Sequence, residues 1–350
     1  MERQDFISRY SSLGERIRKW LAGTVQWPEM EEAVALSAGE NAFFTPWMQR
    51  KALEALAEGM LVRETLCRWL EKYPEPHKGT HCKVCGIVAA GNIPAVAFHD
   101  ILTALAAGFR PLVKLSSKDR HLLPVLFPHD TGVEFRTSTD GWQTDALLTM
   151  GGDDAADFFR EKFRGIPQII RPGRFSMAIL SGDEGDAELK ALSEDMLLYF
   201  GLGCRSATCI LVPQGYDFHR LKEAAGDFAT RHWGQPGRNC HRRNRAELTL
   251  AGERFMDSGT VIFRDITAGG QDMGQCRVWG RNLRIGEVWY AEYSSQEDVQ
   301  KFIEANVDRI QKIIRNFGSA QRPLPDDWPD GVDALGMLMQ IQFQSHDTQI

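Results

Sequence analysis

The sequence predicts an α/β protein, two doubly wound α/β lobes behind a helical N-terminal region. Three observations carry that expectation. The first 78 residues place apolar side chains at three- and four-residue steps. From Lys83 onward, apolar runs of strand length alternate with helical stretches, and around Cys204 the alternation restarts. A chain of 350 residues is also longer than one small core needs and holds two compact lobes naturally.

In the N-terminal region, Phe6, Ile7, Tyr10, Leu13, Ile17, Trp20 and Leu21 form one helical stripe. Met48, Leu53, Leu56, Met60, Leu61, Leu66 and Leu70 form a second, which Pro74-Glu75-Pro76 ends, because proline lacks an amide hydrogen and disfavours helix before it. The continuous apolar run 84–90 reads as a strand buried on both faces. An alanine-rich helix over 95–107 follows it, then strands at 111–115, 133–136 and 146–150, and a helix from Ala155. In the second lobe the pattern gives a helix over 187–199, strands at 208–212 and 287–291, and a helix with Val299, Phe302, Ile303, Val307, Ile310, Ile313, Ile314 and Phe317 on one face. The proline-marked tail reads as an extended arm returning across the surface. The expected division is therefore 1–199 for the helical region with a Rossmann-like cofactor domain, 200–317 for a catalytic domain, and 318–350 for a C-terminal arm.

Composition narrows the class. At 43% hydrophobic and 25% charged residues, the chain excludes wholesale disorder. A net charge of −6 gives no whole-chain basic excess for nucleic acid, and the local basic run 238–245 reads as a solvated loop. Seven scattered cysteines suit reduced thiols better than a disulfide framework. The first residues hold no apolar signal core, and no apolar stretch approaches the ~20 residues that span a bilayer. A soluble cytoplasmic protein without a membrane span is expected. His81-Cys82-Lys83-Val84-Cys85 holds a C-x-x-C, and Cys240-His241 holds two more donors. Cys85 belongs to the strand run and no second closely spaced pair accompanies it, so no metal is expected.

Four segments can carry chemistry. Asn92, in Ala89-Ala90-Gly91-Asn92-Ile93-Pro94, follows a strand where open α/β sheets bind ligands, and its amide can donate to a developing oxyanion; it can equally cap the next helix. Lys114 and Ser116 follow the second strand and can hold the ribose or phosphate of a nucleotide, or simply be solvated. Gly151 and Gly152, before Asp153, open a helix where backbone amides can approach a pyrophosphate, although neither a dinucleotide fingerprint nor a P-loop accompanies them and a plain tight turn is the alternative. Cys204 lies in Phe200-Gly201-Leu202-Gly203-Cys204-Arg205, a glycine-rich turn open to substrate, with Arg205 favouring the thiolate. Cys67, Cys209 and Cys276 read as inert small hydrophobes.

Taken in order, these segments resemble the aldehyde dehydrogenase superfamily, and more closely the long-chain fatty acyl-CoA reductases that supply aldehyde to bacterial luciferase (the LuxC-like family). The matching pieces are Gly91-Asn92-Ile93-Pro94, Ala107-Gly108 with Val113-Lys114-Leu115-Ser116, Gly151-Gly152-Asp153, Phe200-Gly201-Leu202-Gly203-Cys204, and in the tail Phe317-Gly318-Ser319-Ala320-Gln321 with Asp330-Gly331-Val332-Asp333. The resemblance implies an aldehyde-dehydrogenase-like fold in which Cys204 is the nucleophile and Asn92, with the Cys204 amide, holds the oxyanion. It also implies that Lys114 and Ser116 contact the adenosine side of a nicotinamide cofactor and that Gly151, Gly152 and Asp153 border its phosphates. Hydrolysing members carry Glu-Leu-Gly-Gly, whose glutamate activates water. Aligned through Ser176-Met177-Ala178-Ile179-Leu180, that slot here reads Arg171-Pro172-Gly173-Arg174. The expected activity is thus reduction of a fatty acyl-CoA by NADPH, with NADH possible, in a homo-oligomer. Acyl phosphate, a carrier-protein thioester, or acyl transfer without reduction stay open as alternatives, and Glu184 or Glu194 stay open as substitutes for the missing water-activating glutamate.

Overall fold

The computed structural model describes residues 2–75, 82–151, 153–267, 272–278 and 283–344. The chain divides into two compact units, Met1–Gly173 with Arg322–Ile350, and Arg174–Gln321.

Unit 1 opens with helices α1 (Arg3–Leu21), α2 (Pro28–Glu40), α3 (Pro46–Ala55) and α4 (Arg63–Leu70), with one π-helical turn between the last two. Proline starts α2 and α3, where its missing N–H costs nothing, and the Thr45 hydroxyl caps α3 by accepting from Met48 N. The chain then alternates β1 (Val84–Val88), α5 (Phe98–Ala106), β2 (Arg110–Lys114), α6 (Leu122–Leu126), β3 (Glu134–Arg136), β4 (Ala146–Met150), α7 (Asp153–Lys162) and β5 (Gln168–Arg171). These five strands form one parallel sheet in the order β3-β2-β1-β4-β5. One continuous core joins Ile7, Tyr10, Ile17, Leu53 and Leu66 of the N-terminal helices to Ile87, Val113 and Leu148 of the sheet.

Unit 2 holds β6 (Phe175–Ile179), α8 (Asp186–Leu197), β7 (Ala207–Pro213), α9 (His219–His232), α10 (Gly234–Leu250), β8 (Met256–Asp257), β9 (Ile262–Asp265), β10 (Glu287–Tyr293), α11 (Gln296–Asn306) and β11 (Ile310–Ile314). Its sheet runs β11-β6-β7-β10-β9-β8, parallel except for β8. The chain finally re-enters unit 1, where α12 (Ala334–Gln344) buries Leu335, Leu338 and Met339 in the first core.

The α/β class and the two parallel sheets agree with the sequence expectation, and four local features differ. The unit boundary falls at 173/174 instead of 199/200, because β6 and α8 belong to the second sheet and its covering layer. The expected helix over 299–317 stops at Asn306, whose side chain accepts from Val278 N and donates to Cys276 O and Phe302 O, and β-branched Ile310, Ile313 and Ile314 form strand β11. The basic run 238–245 lies on helix α10, not in a loop. The tail past Pro329 is not an arm on the surface but carries a helix packed into the core of unit 1.

Candidate active site

In unit 1 the carboxyl ends of β2, β1 and β4 lie abreast, with Lys114 opposite Val88 and Val88 opposite Thr149. This is the switch point of the sheet, where β2 and β3 are added on one side of β1 and β4 and β5 on the other, and it is where open α/β sheets bind ligands. Three of the candidate segments meet along this edge. Half-buried Lys114 closes β2, and Ala89 N donates to its carbonyl at 3.0 Å. Gly151 follows β4 directly and its N–H donates to Arg171 O at 3.3 Å, two positions before α7 begins. Gly152 lies outside the described residues, and of Asp153 only its place as the first residue of α7 is described.

The turn carrying Asn92 is built by the loop after β2. A Cβ on Gly91 would sit 2.2 Å from Ser116 Oγ and 2.9 Å from Lys118 Cβ, so only glycine lets the two loops approach. Ser116 Oγ accepts from Lys118 N at 3.2 Å within its own loop, and its closeness to Gly91 sets this hydroxyl against the Asn92 turn. Ala95 adopts a left-handed φ of 54°, and its N–H donates to Asp119 Oδ2 at 2.7 Å. Asp119 is buried, and burial pushes its carboxyl up to about 6 against the lowering effect of the Ala95 bond and of His121. The N-cap residue of α5 is Ala97, so Asn92 is not a helix cap.

In unit 2, Cys204 is exposed in a turn closed by Ser206 N donating to Gly203 O at 2.9 Å. Its own carbonyl accepts from Ser176 Oγ of β6 at 2.8 Å. The turn precedes β7, so the thiol lies at the amino end of that strand, unlike Asn92 and Lys114 at carboxyl ends. Before it come three consecutive left-handed residues, Tyr199, Phe200 and Gly201, with φ of 56°, 58° and 72°. Phe200 is buried and stacks on Trp233 with ring centroids 5.1 Å apart. The Trp233 indole N–H donates to Leu197 O at 3.1 Å, so one side chain holds both flanks of the kink. Such backbone costs about 1–3 kcal/mol per non-glycine residue and persists where its surroundings over-determine it.

The other cysteines behave differently. Cys85 and Cys209 are buried in strands, and burial pushes the Cys85 thiol up. Burial also raises Cys240. Exposed Cys82 adjoins His81, which lies outside the described residues. No group of three His, Cys, Asp or Glu side chains able to hold a metal occurs among the described residues, and no helix among them is long and apolar enough to cross a membrane.

The chain matches no protein-family model and no curated protein. Solved structures do match. A chain from Burkholderia cenocepacia assigned to the aldehyde dehydrogenases gives a TM-score of 0.60 at 13% identity, over 91% of this chain and 76% of its own. Betaine aldehyde dehydrogenase of Staphylococcus aureus, solved with NAD+ and a modified cysteine, gives 0.58 at 11% identity, over 88% and 70%. An aldehyde dehydrogenase of Physcomitrella patens, solved with its product succinate, gives 0.57 at 11% identity, over 96% and 84%. The fold is that of the aldehyde dehydrogenases. At such identities the likeness concerns the path of the backbone, and chemistry has to be argued from side chains.

Within the aldehyde dehydrogenase fold, the slot read from sequence as Arg171-Pro172-Gly173-Arg174 is filled by a buried ion pair. One guanidinium nitrogen of Arg171 contacts both Asp100 carboxylate oxygens, at 2.6 and 2.7 Å. Burial alone would raise the Asp100 carboxyl, but Arg171 and His99 together hold it down at about 2. Glu184 is also committed, accepting from Ser181 N, Ser181 Oγ and Gly182 N beyond the carboxyl end of β6. Ser176, which touches the Cys204 carbonyl, lies at the opposite end of that strand, and at ~3.3 Å per residue the separation removes Glu184 from the thiol. Glu194 is half-buried on α8.

Sequence reasoning gave no such role to Asp119, Asp195, Ser176, Trp233 or the Asp100–Arg171 pair. Asp195 alone left a trace, as an acidic residue in the otherwise apolar stretch Asp195-Met196-Leu197-Leu198 at the end of a helix.

Proposed function

We propose that the chain is an NADPH-dependent acyl-CoA reductase of the LuxC-like kind, converting a long-chain fatty acyl-CoA to the aldehyde through an acyl-enzyme on Cys204. The observation that carries this reading is the Arg171–Asp100 pair. Where a hydrolysing enzyme of this fold would need a carboxylate to activate water, a buried cation is already neutralised by a carboxylate held at about 2. An acyl group on Cys204 then lacks the carboxylate that this slot gives a hydrolysing enzyme, and survives until it is reduced.

The residues at the edge of the first sheet fit a nicotinamide nucleotide. Gly151 offers bare backbone before a helix N-terminus, and Lys114 brings a cation to the neighbouring strand end. Lys114 and Lys118 favour the additional phosphate of NADPH over NADH. Ser116, packed on Gly91, shapes the turn between them and Asn92. When bound, the nicotinamide supplies the hydride that takes the acyl group to the aldehyde level.

The protein's own steps are few. The Cys204 thiolate attacks the thioester carbonyl, a carbon–sulfur bond forms, and the Cys204 N–H receives the oxyanion. The oxyanion collapses, the bond to coenzyme A breaks, and its thiolate leaves with a proton from solvent. After reduction the thiohemiacetal on Cys204 loses its hydroxyl proton, releases aldehyde and restores the thiolate.

Intact-mass spectrometry of the chain mixed with palmitoyl-CoA tests this directly. An acyl adduct on Cys204 is expected, stable for minutes in buffer and discharged as aldehyde on adding NADPH. Cys204→Ala is expected to lose the adduct and all turnover while retaining nucleotide binding. An adduct that persists in NADPH, or aldehyde formation by Cys204→Ala, overturns the reading. Labelling by acyl phosphate or by an acyl carrier protein, but by no acyl-CoA, would move the substrate to that donor.

A further inference from the structure

The turn that presents Cys204 is pinned from a place far away in sequence. Asp195 on α8 is 1% exposed, and both its carboxylate oxygens are used. Oδ2 accepts from Gly318 N at 2.6 Å and Oδ1 from Ala320 N at 3.0 Å. These two bonds fix the segment that follows β11 and deliver the next side chain, Gln321, to the end of α8. There its amide nitrogen donates to Asp195 O at 3.4 Å and to Ser206 Oγ at 3.2 Å. Ser206 is fully buried and closes the Cys204 turn through its own N–H to Gly203 O. The turn is therefore held at two points, by Ser176 on the Cys204 carbonyl and by Gln321 on the Ser206 hydroxyl, and the second depends on Asp195.

We propose that Asp195 is a positioning residue for the Cys204 thiol, acting through segment 318–321 and the Gln321–Ser206 hydrogen bond. The inference rests on the reading of Cys204 as the nucleophile and adds a residue 123 to 126 positions from its partners in that segment. Its geometry has a pH signature. A carboxylate can accept both N–H groups, whereas a protonated carboxyl presents one oxygen as a donor toward an N–H and loses that bond. Burial pushes the Asp195 carboxyl up to about 6, with Glu194 on the same helix adding to the rise; the Gly318 and Ala320 N–H groups and Lys312 on β11 oppose it, and segment 318–321 carries no charge. The doubly bonded, ionised form is thus present above about pH 6 and lost as the pH falls through it.

The test follows carbamidomethylation of Cys204 by iodoacetamide, site by site in peptide mass spectra of the whole chain, from pH 5 to pH 8.5. Cys82, exposed in unit 1, is the internal reference. The ratio of the Asp195→Asn rate to the wild-type rate is expected near one-tenth at pH 8, since small displacements of a reacting group cost on the order of tenfold or more. It should rise toward one as the wild type loses its own charge below pH 6. A merely structural role gives a pH-independent ratio. A ratio of one throughout, or one constant with pH, overturns the proposal. Should Asp195→Asn not fold, Gln321→Ala decides: it leaves the carboxylate and its two N–H bonds in place, and an unchanged Cys204 rate in that variant overturns the proposal alone. A wild-type Cys204 that reacts no faster than Cys82 would instead bring down the nucleophile reading on which the proposal stands.

Discussion

The turn that carries Asn92 and the turn that carries Cys204 solve the same problem by opposite means. Each forces non-glycine residues into left-handed backbone, Ala95 in one and Tyr199 with Phe200 in the other. Each is braced by a buried aspartate whose carboxyl is raised to about 6. The Asn92 turn is held by its neighbour in sequence, a loop 24 residues on that supplies Ser116 and Asp119. The Cys204 turn is held by Trp233, 33 positions after the residue it stacks on, and by Gln321, 115 positions beyond Ser206. The edge proposed for the nucleotide is made from one β-α-β unit, whereas the strained turn proposed for the nucleophile is fixed by groups drawn from across its whole unit.

The largest effect should come from removing the aromatic brace. Trp233→Ala deletes the ring on Phe200 and the hydrogen bond to Leu197 O, and is expected to destabilise unit 2 by about 3–5 kcal/mol. Trp233→Phe keeps most of the stack, loses the bond, and should cost about 1 kcal/mol. Urea denaturation followed by tryptophan fluorescence and far-ultraviolet circular dichroism measures both. Equal costs for the two variants would mean that the hydrogen bond, not the stack, holds the kink.

How much of this was legible in the sequence follows the same division. The strand ends that the Asn92, Lys114 and Gly151 segments follow were readable because parallel strands announce themselves as apolar runs. The exposed turn at Cys204 was readable from its glycines. Its support was not: nothing in the local pattern links Asp195 to Gly318, or Phe200 to Trp233, since those contacts arise only when a helix, a strand and a returning segment meet. Strand β11 was misread for a related reason. Ile310, Ile313 and Ile314 satisfy a helical stripe as well as a strand, and the Asn306 side chain that ends the helix acts through contacts to Cys276 and Val278.

The two aspartates share a direction of shift, yet their replacement should act oppositely. Asp195 needs both oxygens as acceptors. Asp119 Oδ2 accepts from Ala95 N, while its Oδ1 is buried without a hydrogen-bond partner among the described residues. Asparagine can therefore keep the Ala95 bond and avoid burying a charge. With a folded value above the ordinary carboxylate value, the native state binds the proton more tightly than the unfolded chain, so this group's contribution to stability is greatest below about pH 4 and declines as the pH rises to about 6. A shift of about two units corresponds to at most about 3 kcal/mol. Asp119→Asn should remove that decline and equal or exceed the wild type at pH 7, read as denaturation midpoints between pH 4 and 8. A variant markedly less stable than wild type at pH 7 would show that the charge itself is needed there.

The smallest of these effects, and the most local, separates packing from conformation at Gly91. An added Cβ would meet Ser116 Oγ at 2.2 Å, Ser116 Cβ at 2.7 Å and Lys118 Cβ at 2.9 Å, and Gly91 has no left-handed φ of its own. Its need for glycine is thus one of space, which makes it separable. Gly91→Ala should cost about 1–3 kcal/mol by overpacking. Ser116→Gly in the same chain removes two of the three clashing atoms, so the double variant should be more stable than the sum of the two single losses predicts, with coupling on the order of 1 kcal/mol. If the costs simply add, the two loops do not press on each other at this point. Ser116 would then lose its part in shaping the Asn92 turn, leaving Asp119 and its bond to Ala95 as what holds that turn against the end of β2.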